Sequence, residues 1–377
     1  MRIGFDGKRA VQNFTGLGNY SRYVADILCH FYPENDYVLY APKKRENKRM
    51  NLLTGQYRQL TLAYPATSFW KKLSSLWRVW GITSQLEKEG IELFHGLSNE
   101  LPLNIHKSRI KSIVTIHDLI FLRYPQYYQS IDRKIYTYKF RKACENADKI
   151  IAISECTKRD IIRYFNIPDD KIEVVYQGCD VSFTHPVTEE KKEEVRKKYQ
   201  LPDHYILNVG SIEERKNILA AVQALPMLPQ HIHIVIVGRR TGYTEKVEQF
   251  IKDNGLGERV HIISNVPFND LPAFYQSAEI FVYPSRFEGF GIPIIEALYS
   301  GIPVVAATGS CLGEAGGPDS IYVNPDDITG LADAFKQIYS NSDKRKNMVE
   351  KGREFAKRFS EKQQSEEIIN IYKKLIR

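Results

Sequence analysis

Two glutamates eight residues apart frame the stretch of this chain best suited to chemistry, Glu288-Gly-Phe-Gly-Ile-Pro-Ile-Ile-Glu296. Gly289 and Gly291 leave backbone N–H groups uncovered. Pro293 marks the first turn of a helix, whose N-terminus adds a partial positive charge. Together these features form an anion cradle. Carboxylates beside it suit acceptance of hydroxyl groups from a sugar or ribose better than ligation of phosphate. In the plainer alternative, Glu296 complements a helix dipole and the glycines only turn the chain. Two glutamates, two glycines and a proline in one loop favour the functional reading.

Three further clusters carry polar chemistry. Val209-Gly-Ser-Ile-Glu-Glu-Arg-Lys-Asn217 reads as a strand end and turn bearing adjacent cations. Arg215 offers a planar fork and Lys216 a point charge, the pairing that neutralises a diphosphate, although an exposed basic turn would look the same. His117 and Asp118 follow an apolar run, 113–116, and are expected at the carboxyl edge of a sheet. Gly16 and Gly18 of Thr15-Gly-Leu-Gly-Asn-Tyr-Ser-Arg22 open a helical stretch. As a dinucleotide fingerprint this segment fails: Ser21 stands where the third glycine belongs, and no acidic residue ends the strand at 37–40.

The elements that must hold these residues are legible as short Ile/Val-rich runs, among them 3–5, 37–40, 113–116, 150–153, 206–209, 232–237, 280–283 and 303–306. Amphipathic segments such as 218–225 and 331–339 lie between them. Strands that are apolar without alternation are covered on both faces, which predicts α/β architecture with parallel sheets. The series runs twice. The expected organisation is a first doubly wound domain over 1–184, a second over 185–360, and a final helix within 361–377. A charged stretch, 188–199, predicts a solvated helix opening the second domain. All three tryptophans fall at 70, 77 and 80, where Leu73, Leu76, Trp77 and Trp80 follow helical spacing beside Lys71, Lys72 and Arg78. That predicts an amphipathic helix over 68–80, either packed on the first domain or touching a membrane or lipid-linked acceptor.

Composition narrows the classes. Over 377 residues, 43% hydrophobic and 26% charged content is that of a folded globular chain and excludes disorder, collagen and coiled coil. The net charge of +8 suits an anionic partner. Without a long basic block or a nucleic-acid motif it does not point to DNA or RNA. Five scattered cysteines, none in a CxxC pair, predict reduced thiols. Met1 leads into Arg-Ile-Gly-Phe-Asp with no apolar signal core, and no run reaches the roughly 20 apolar residues of a membrane span. The expected location is cytoplasmic, with peripheral contact at the inner face of the membrane through residues 68–80.

The Glu288–Glu296 segment resembles the E-x7-E signature of retaining GT-B glycosyltransferases of glycosyltransferase family 4. The resemblance extends over nearly the whole chain, best from 205 to 325. It implies the GT-B fold, two Rossmann-like domains facing a cleft. It also implies a donor site in which Glu288 meets the sugar, Glu296 the ribose, and the amides of Gly289, Phe290, Gly291 and Ile292 the sugar and phosphates. Arg215 and Lys216 match the family's diphosphate element, with Ser211 where many members carry Arg. Gly16 and Gly18 match its N-terminal glycine loop, near donor phosphates or acceptor. His117 and Asp118 match its H-D-L segment, where the His would orient the sugar or stabilise developing positive charge. Gly313 stands where the family commonly has Pro, with Glu314 kept. The implied activity is retaining hexosyl transfer from a nucleotide-diphosphate sugar to a saccharide or lipid-linked saccharide in bacterial polysaccharide synthesis. GDP-mannose is the preferred donor and UDP-sugars the alternative. The chain has no D-x-D triplet, so neither metal nor cofactor is expected. The rivals are a nucleotide-sugar epimerase of the same fold and an NAD-dependent oxidoreductase.

Overall fold

The computed structural model describes residues 1–13 and 16–376. The chain divides into two units. Met1–Tyr176 and the segment from Glu361 onward form the first, and Gln177–Ser360 the second. The division falls before the expected position at 184, because Phe183 packs its ring against Phe268 and Tyr275 of the second unit, centroids 5.9 and 5.3 Å away.

Among the described residues, the first unit holds seven strands: β1 Arg2–Asp6, β2 Asp36–Tyr40, β3 Leu60–Ala63, β4 Leu93–Gly96, β5 Lys111–Ile116, β6 Lys149–Ala152 and β7 Ile172–Val174. All pair in parallel in the order β3-β2-β1-β4-β5-β6-β7. The unbroken apolar runs are explained by β2: Tyr37 and Leu39 enter one core layer, Val38 and Tyr40 the opposite one. A strand buried on both faces has no polar side to alternate with. The helix Glu361–Ile376 lays Ile368, Ile369, Ile371 and Tyr372 into the layer that also holds Ile3, Phe5 and Leu28.

The second unit holds β8 Tyr205–Val209, β9 His233–Val237, β10 Val260–Ile263, β11 Ile280–Tyr283, β12 Val304–Ala307 and β13 Ile321–Val323. These are parallel in the order β10-β9-β8-β11-β12-β13. The strand order reverses between β1 and β4 in the first sheet and between β8 and β11 in the second. At such switch points the loops after the two strands part and leave a crevice at their carboxyl ends. The helix Glu189–Tyr199, capped by Thr188, is the first α-helix of the second unit. Lys191, Lys198 and Tyr199 converge on the buried Asp270, at 3.0, 2.7 and 2.9 Å. Val195 is the helix's buried residue.

The single amphipathic helix expected over 68–80 is not what forms. Ser68–Lys72 and Ser74–Leu76 are separate helical turns, and Trp77–Gly81 is a π-turn leading into the helix Ile82–Lys88. Leu73 leaves helical geometry at φ −105°, ψ 41°, which breaks the expected register. As a result Trp77 is fully buried, its Nε1–H donating to Gln85 at 3.1 Å, while Leu73, Leu76 and Trp80 remain exposed.

Candidate active site

In the second unit, the two loops flanking the switch point carry the residues singled out from the sequence. After β8 the chain passes Gly210 at φ 154°, where a Cβ would sit 2.9 Å from Lys216 Nζ. Glycine there lets the lysine fold back over the strand end. Arg215 and Lys216 occupy the short turn Glu214–Lys216. Asn217, at φ 55°, closes that turn and donates its amide to Pro284 O at 3.3 Å and Pro325 O at 2.8 Å. The Arg286 N–H donates to Arg215 O at 2.9 Å, so backbone bonds hold the two loops together.

Glu288 is where they converge. Its Oε2 lies 2.8 Å from Arg215 Nη1, and its Oε1 accepts from Ser285 Oγ at 2.9 Å and Tyr283 OH at 3.2 Å. Lys216 Nζ stands 3.9 Å from Oε1 and donates to Tyr283 OH at 3.3 Å. Burial favours the neutral acid, but the charges of Lys216 and Arg215 prevail and hold the carboxyl below its ordinary pKa. Glu288 is therefore an ionised acceptor. Arg215 also lies 3.6 Å from Glu213, which Arg239 approaches to 3.7 Å, so three cations face two carboxylates and an excess positive charge remains for an anionic ligand.

Glu296 lies on the helix Ile292–Ser300, which starts after Gly291 at φ 144° and stops at Gly301 in the left-handed region. Its Oε2 accepts from Tyr275 OH at 2.6 Å. Burial pushes its pKa up to about 7; the tyrosine bond opposes this and the Asp180 carboxylate adds to it. The Cys311 thiol donates to Glu288 O at 3.0 Å and Phe290 O at 2.8 Å, fixing the loop between the glutamates. The Phe290 ring packs on Phe359 and is buried, so it turns away from solvent.

The first unit holds the other candidates. His117 follows β5, with its N–H on Asn99 Oδ1 at 2.7 Å and its ring Nε2 on Leu97 O at 2.9 Å. A carbonyl only accepts, so Nε2 carries the proton and Nδ1 bears the lone pair. The Tyr20 ring meets the imidazole edge-on at 4.6 Å. Burial brings His117 down to about 4, so it is neutral at physiological pH. Asp118 Oδ1 accepts from Ile120 N at 3.1 Å and caps the turn that follows. Gly16 begins the helix Gly16–Phe31, and a Cβ there would meet nothing within 4 Å. At Gly18 a Cβ would fall inside van der Waals distance of Asn13 O, so that glycine serves packing. Arg22 clamps the same loop end, donating to Ala10 O at 2.7 Å and Asn13 O at 2.8 Å. Thr15 of this motif lies outside the described residues.

Sequence reasoning missed two buried networks here. His95 in β4 bonds Tyr372 OH at 2.6 Å and Thr115 Oγ1 at 2.8 Å, and Thr115 Oγ1 lies 3.3 Å from Tyr20 OH. This chain of contacts ends on the ring that packs against His117. Arg78 donates to Asp6 and to Glu100, and Lys139 lies 3.6 Å from the same Glu100. Only a polar residue inside an apolar strand, His95, could have signalled the first.

Residues 21–183 match the family described as Glycosyltransferase Family 4, and residues 189–355 match Glycosyl transferases group 1. O-antigen chain mannosyltransferase B of Escherichia coli is 31% identical over 289 residues, 75% of this chain and 74% of that protein. The chain belongs to glycosyltransferase family 4. A second relative of this glycosyltransferase, O-antigen chain mannosyltransferase RfbU of Salmonella typhimurium, is 29% identical over 60% of this chain and 60% of its own length. The chain thus spans less than two thirds of RfbU. Among solved structures, Anabaena HepE in complex with UDP superposes with a TM-score of 0.78 at 18% identity, covering 100% of both chains. The two parallel-sheet domains are those of the GT-B fold.

Proposed function

We propose that this glycosyltransferase moves mannose from GDP-mannose to a saccharide or lipid-linked saccharide during surface polysaccharide synthesis, with retention of anomeric configuration. The observation that carries the reading is the Arg215–Lys216–Glu288 cluster at the β8/β11 switch point. It offers two cations for a diphosphate and one fixed carboxylate for sugar hydroxyls. The mannosyl choice rests on the two O-antigen mannosyltransferases among the relatives.

In this reading, Arg215 and Lys216 neutralise the diphosphate, joined by the amides at Gly289–Ile292 and the helix N-terminus, and no metal or cofactor takes part. Glu288 orients the transferred sugar and Glu296 accepts a ribose hydroxyl. The bond from the anomeric carbon to the phosphate oxygen breaks while the acceptor oxygen bonds that carbon on the same face. The acceptor's proton passes to the departing phosphate, giving GDP and the extended glycan. His117, neutral and held by Leu97 O and Asn99, orients the sugar, with Asp118 beside it.

The test is a thermal melt against GDP, UDP, dTDP and NAD at about 1 mM each, followed by turnover of GDP-mannose and anomeric assignment of the product. A ligand at about 100 times its dissociation constant adds about 2.7 kcal/mol. The expected result is a GDP-selective shift that vanishes in Arg215→Ala with Lys216→Ala. A UDP-selective shift replaces the donor, and a shift with NAD alone overturns the proposal.

A further inference from the structure

The bond from His117 Nε2 to Leu97 O sets the reach of the imidazole, and the Tyr20 ring, edge-on at 4.6 Å and 90°, sets its tilt. Whatever fixes Tyr20 therefore bears on the histidine. The Tyr20 hydroxyl lies 3.3 Å from Thr115 Oγ1, Thr115 Oγ1 lies 2.8 Å from His95 Nε2, and His95 Nδ1 lies 2.6 Å from Tyr372 OH. The helix Gly16–Phe31, β5, β4 and the terminal helix Glu361–Ile376 each contribute one side chain to this run of contacts. The strands place its middle. β4 pairs with β5 so that His95 stands beside Ile113, and Thr115, two residues on, shares that face. It is the face covered by the core layer that includes Tyr20 and Tyr372.

Burial keeps His95 neutral, bringing it down to about 3, and the nearby His117 adds to the effect. A neutral imidazole has one donor and one acceptor nitrogen, so the run has a direction: a hydroxyl donates to one nitrogen and the other nitrogen donates onward. Each hydroxyl is then oriented by its neighbour. Placing these polar groups in an apolar layer costs free energy that aliphatic side chains there would not, and what the run supplies in return is orientation. We infer that Tyr372 and His95 are positioning residues which, through Thr115 and Tyr20, hold the His117 imidazole in place, so that the last helix of the chain completes the site in the first unit. The effect on turnover rests on the proposed role of His117 in orienting the sugar.

The test uses the full chain with 15N-labelled histidine, the His117 ring signals assigned with His117→Gln, beside initial rates with GDP-mannose. Tyr372→Phe removes the far link without altering Tyr20 or His117, and Thr115→Val removes the central hydroxyl at nearly constant volume. Each should shift or broaden the His117 ring signals and lower kcat about tenfold, with KM for the donor changed by less than about twofold. The double variant should be no worse than Thr115→Val alone, because the run is already cut. Ile368→Val trims the same helix in the same layer and should lower the melting midpoint while leaving the His117 signals and kcat unchanged. His117 signals unmoved in both Tyr372→Phe and Thr115→Val, or moved equally in Ile368→Val, overturn the inference whatever the rates are. Signals that move while kcat stays at the wild-type value uphold the positioning and overturn the role given to His117. A wild-type chain that turns over no GDP-mannose overturns the donor assignment, and the ring signals still decide the inference.

Discussion

Replacing Glu296 with glutamine should make the second unit much more stable at pH 8 and change it by less than about 1 kcal/mol at pH 5. The folded carboxyl titrates at about 7 against an ordinary 4.5. Between those values the native state binds a proton the unfolded chain has released, so stability falls as pH rises through the window. Each pKa unit corresponds to about 1.4 kcal/mol, which makes the full penalty about 3.5 kcal/mol well above pH 7, of which about 2.5 accrues between pH 5 and 8. Glutamine resembles the protonated acid and still accepts from Tyr275 OH, so it escapes the penalty while keeping the bond. The assay exploits the placement of the tryptophans: Trp70, Trp77 and Trp80 all lie in the first unit. Their fluorescence follows that unit alone in urea, whereas far-ultraviolet circular dichroism follows both. The expected result is a gap between variant and wild type that opens with pH in the dichroism transition and is absent from the fluorescence one. A gap constant from pH 5 to 8 would refute the argument, since it would mean that the carboxyl titrates alike in folded and unfolded chains.

Gly18→Ala should cost the first unit about 3 kcal/mol, since its methyl must displace the Asn13 carbonyl; the fluorescence midpoint measures it, and a neutral substitution contradicts the packing role. Tyr372→Phe strands His95 Nδ1 in the core and should cost about 1–3 kcal/mol in the same assay. Asp270 is held down at about 2; burial opposes this, but Lys198, Lys191 and Tyr199 outweigh it. Its contribution is fully present above pH 4 and is lost as pH falls from 3.8 through 2. Allowing for the solvent around the lysines, Asp270→Asn should therefore lower stability at pH 7 by on the order of 1 kcal/mol and converge with wild type near pH 2.

The candidate residues of the second unit were legible because they sit in two contiguous stretches, each following an apolar strand. Glu288, Glu296, Arg215 and Lys216 need only local order to be recognised. Their partners were not legible. Tyr275 and Tyr283 read as ordinary aromatic residues of a helix and a strand, yet their hydroxyls bond the two glutamates. His95 and Tyr372 are 277 positions apart, and no periodicity links them. Segment 68–80 misled for a different reason. Its spacing fits one helix, but the break at Leu73 and the π-turn at 77–81 reassign Trp77 to the core and leave its neighbours outside. Ile131, Ile135 and Tyr138 of the helix Ser130–Asn146 are regularly spaced and all exposed, and periodicity alone does not say whether such a stripe faces core or solvent.

The return of the last helix has a consequence for how the chain is made. The first unit's core layer around Ile3, Phe5 and Leu28 closes only when Ile368, Ile369 and Tyr372 arrive. On the ribosome, the second unit holds its whole sequence before that helix emerges, so the half of the protein synthesised first is the half completed last. Until then His95 and the apolar slot for Tyr372 stand open. Premature termination near residue 361 would thus leave the second unit intact and damage the first, the reverse of what linear order suggests.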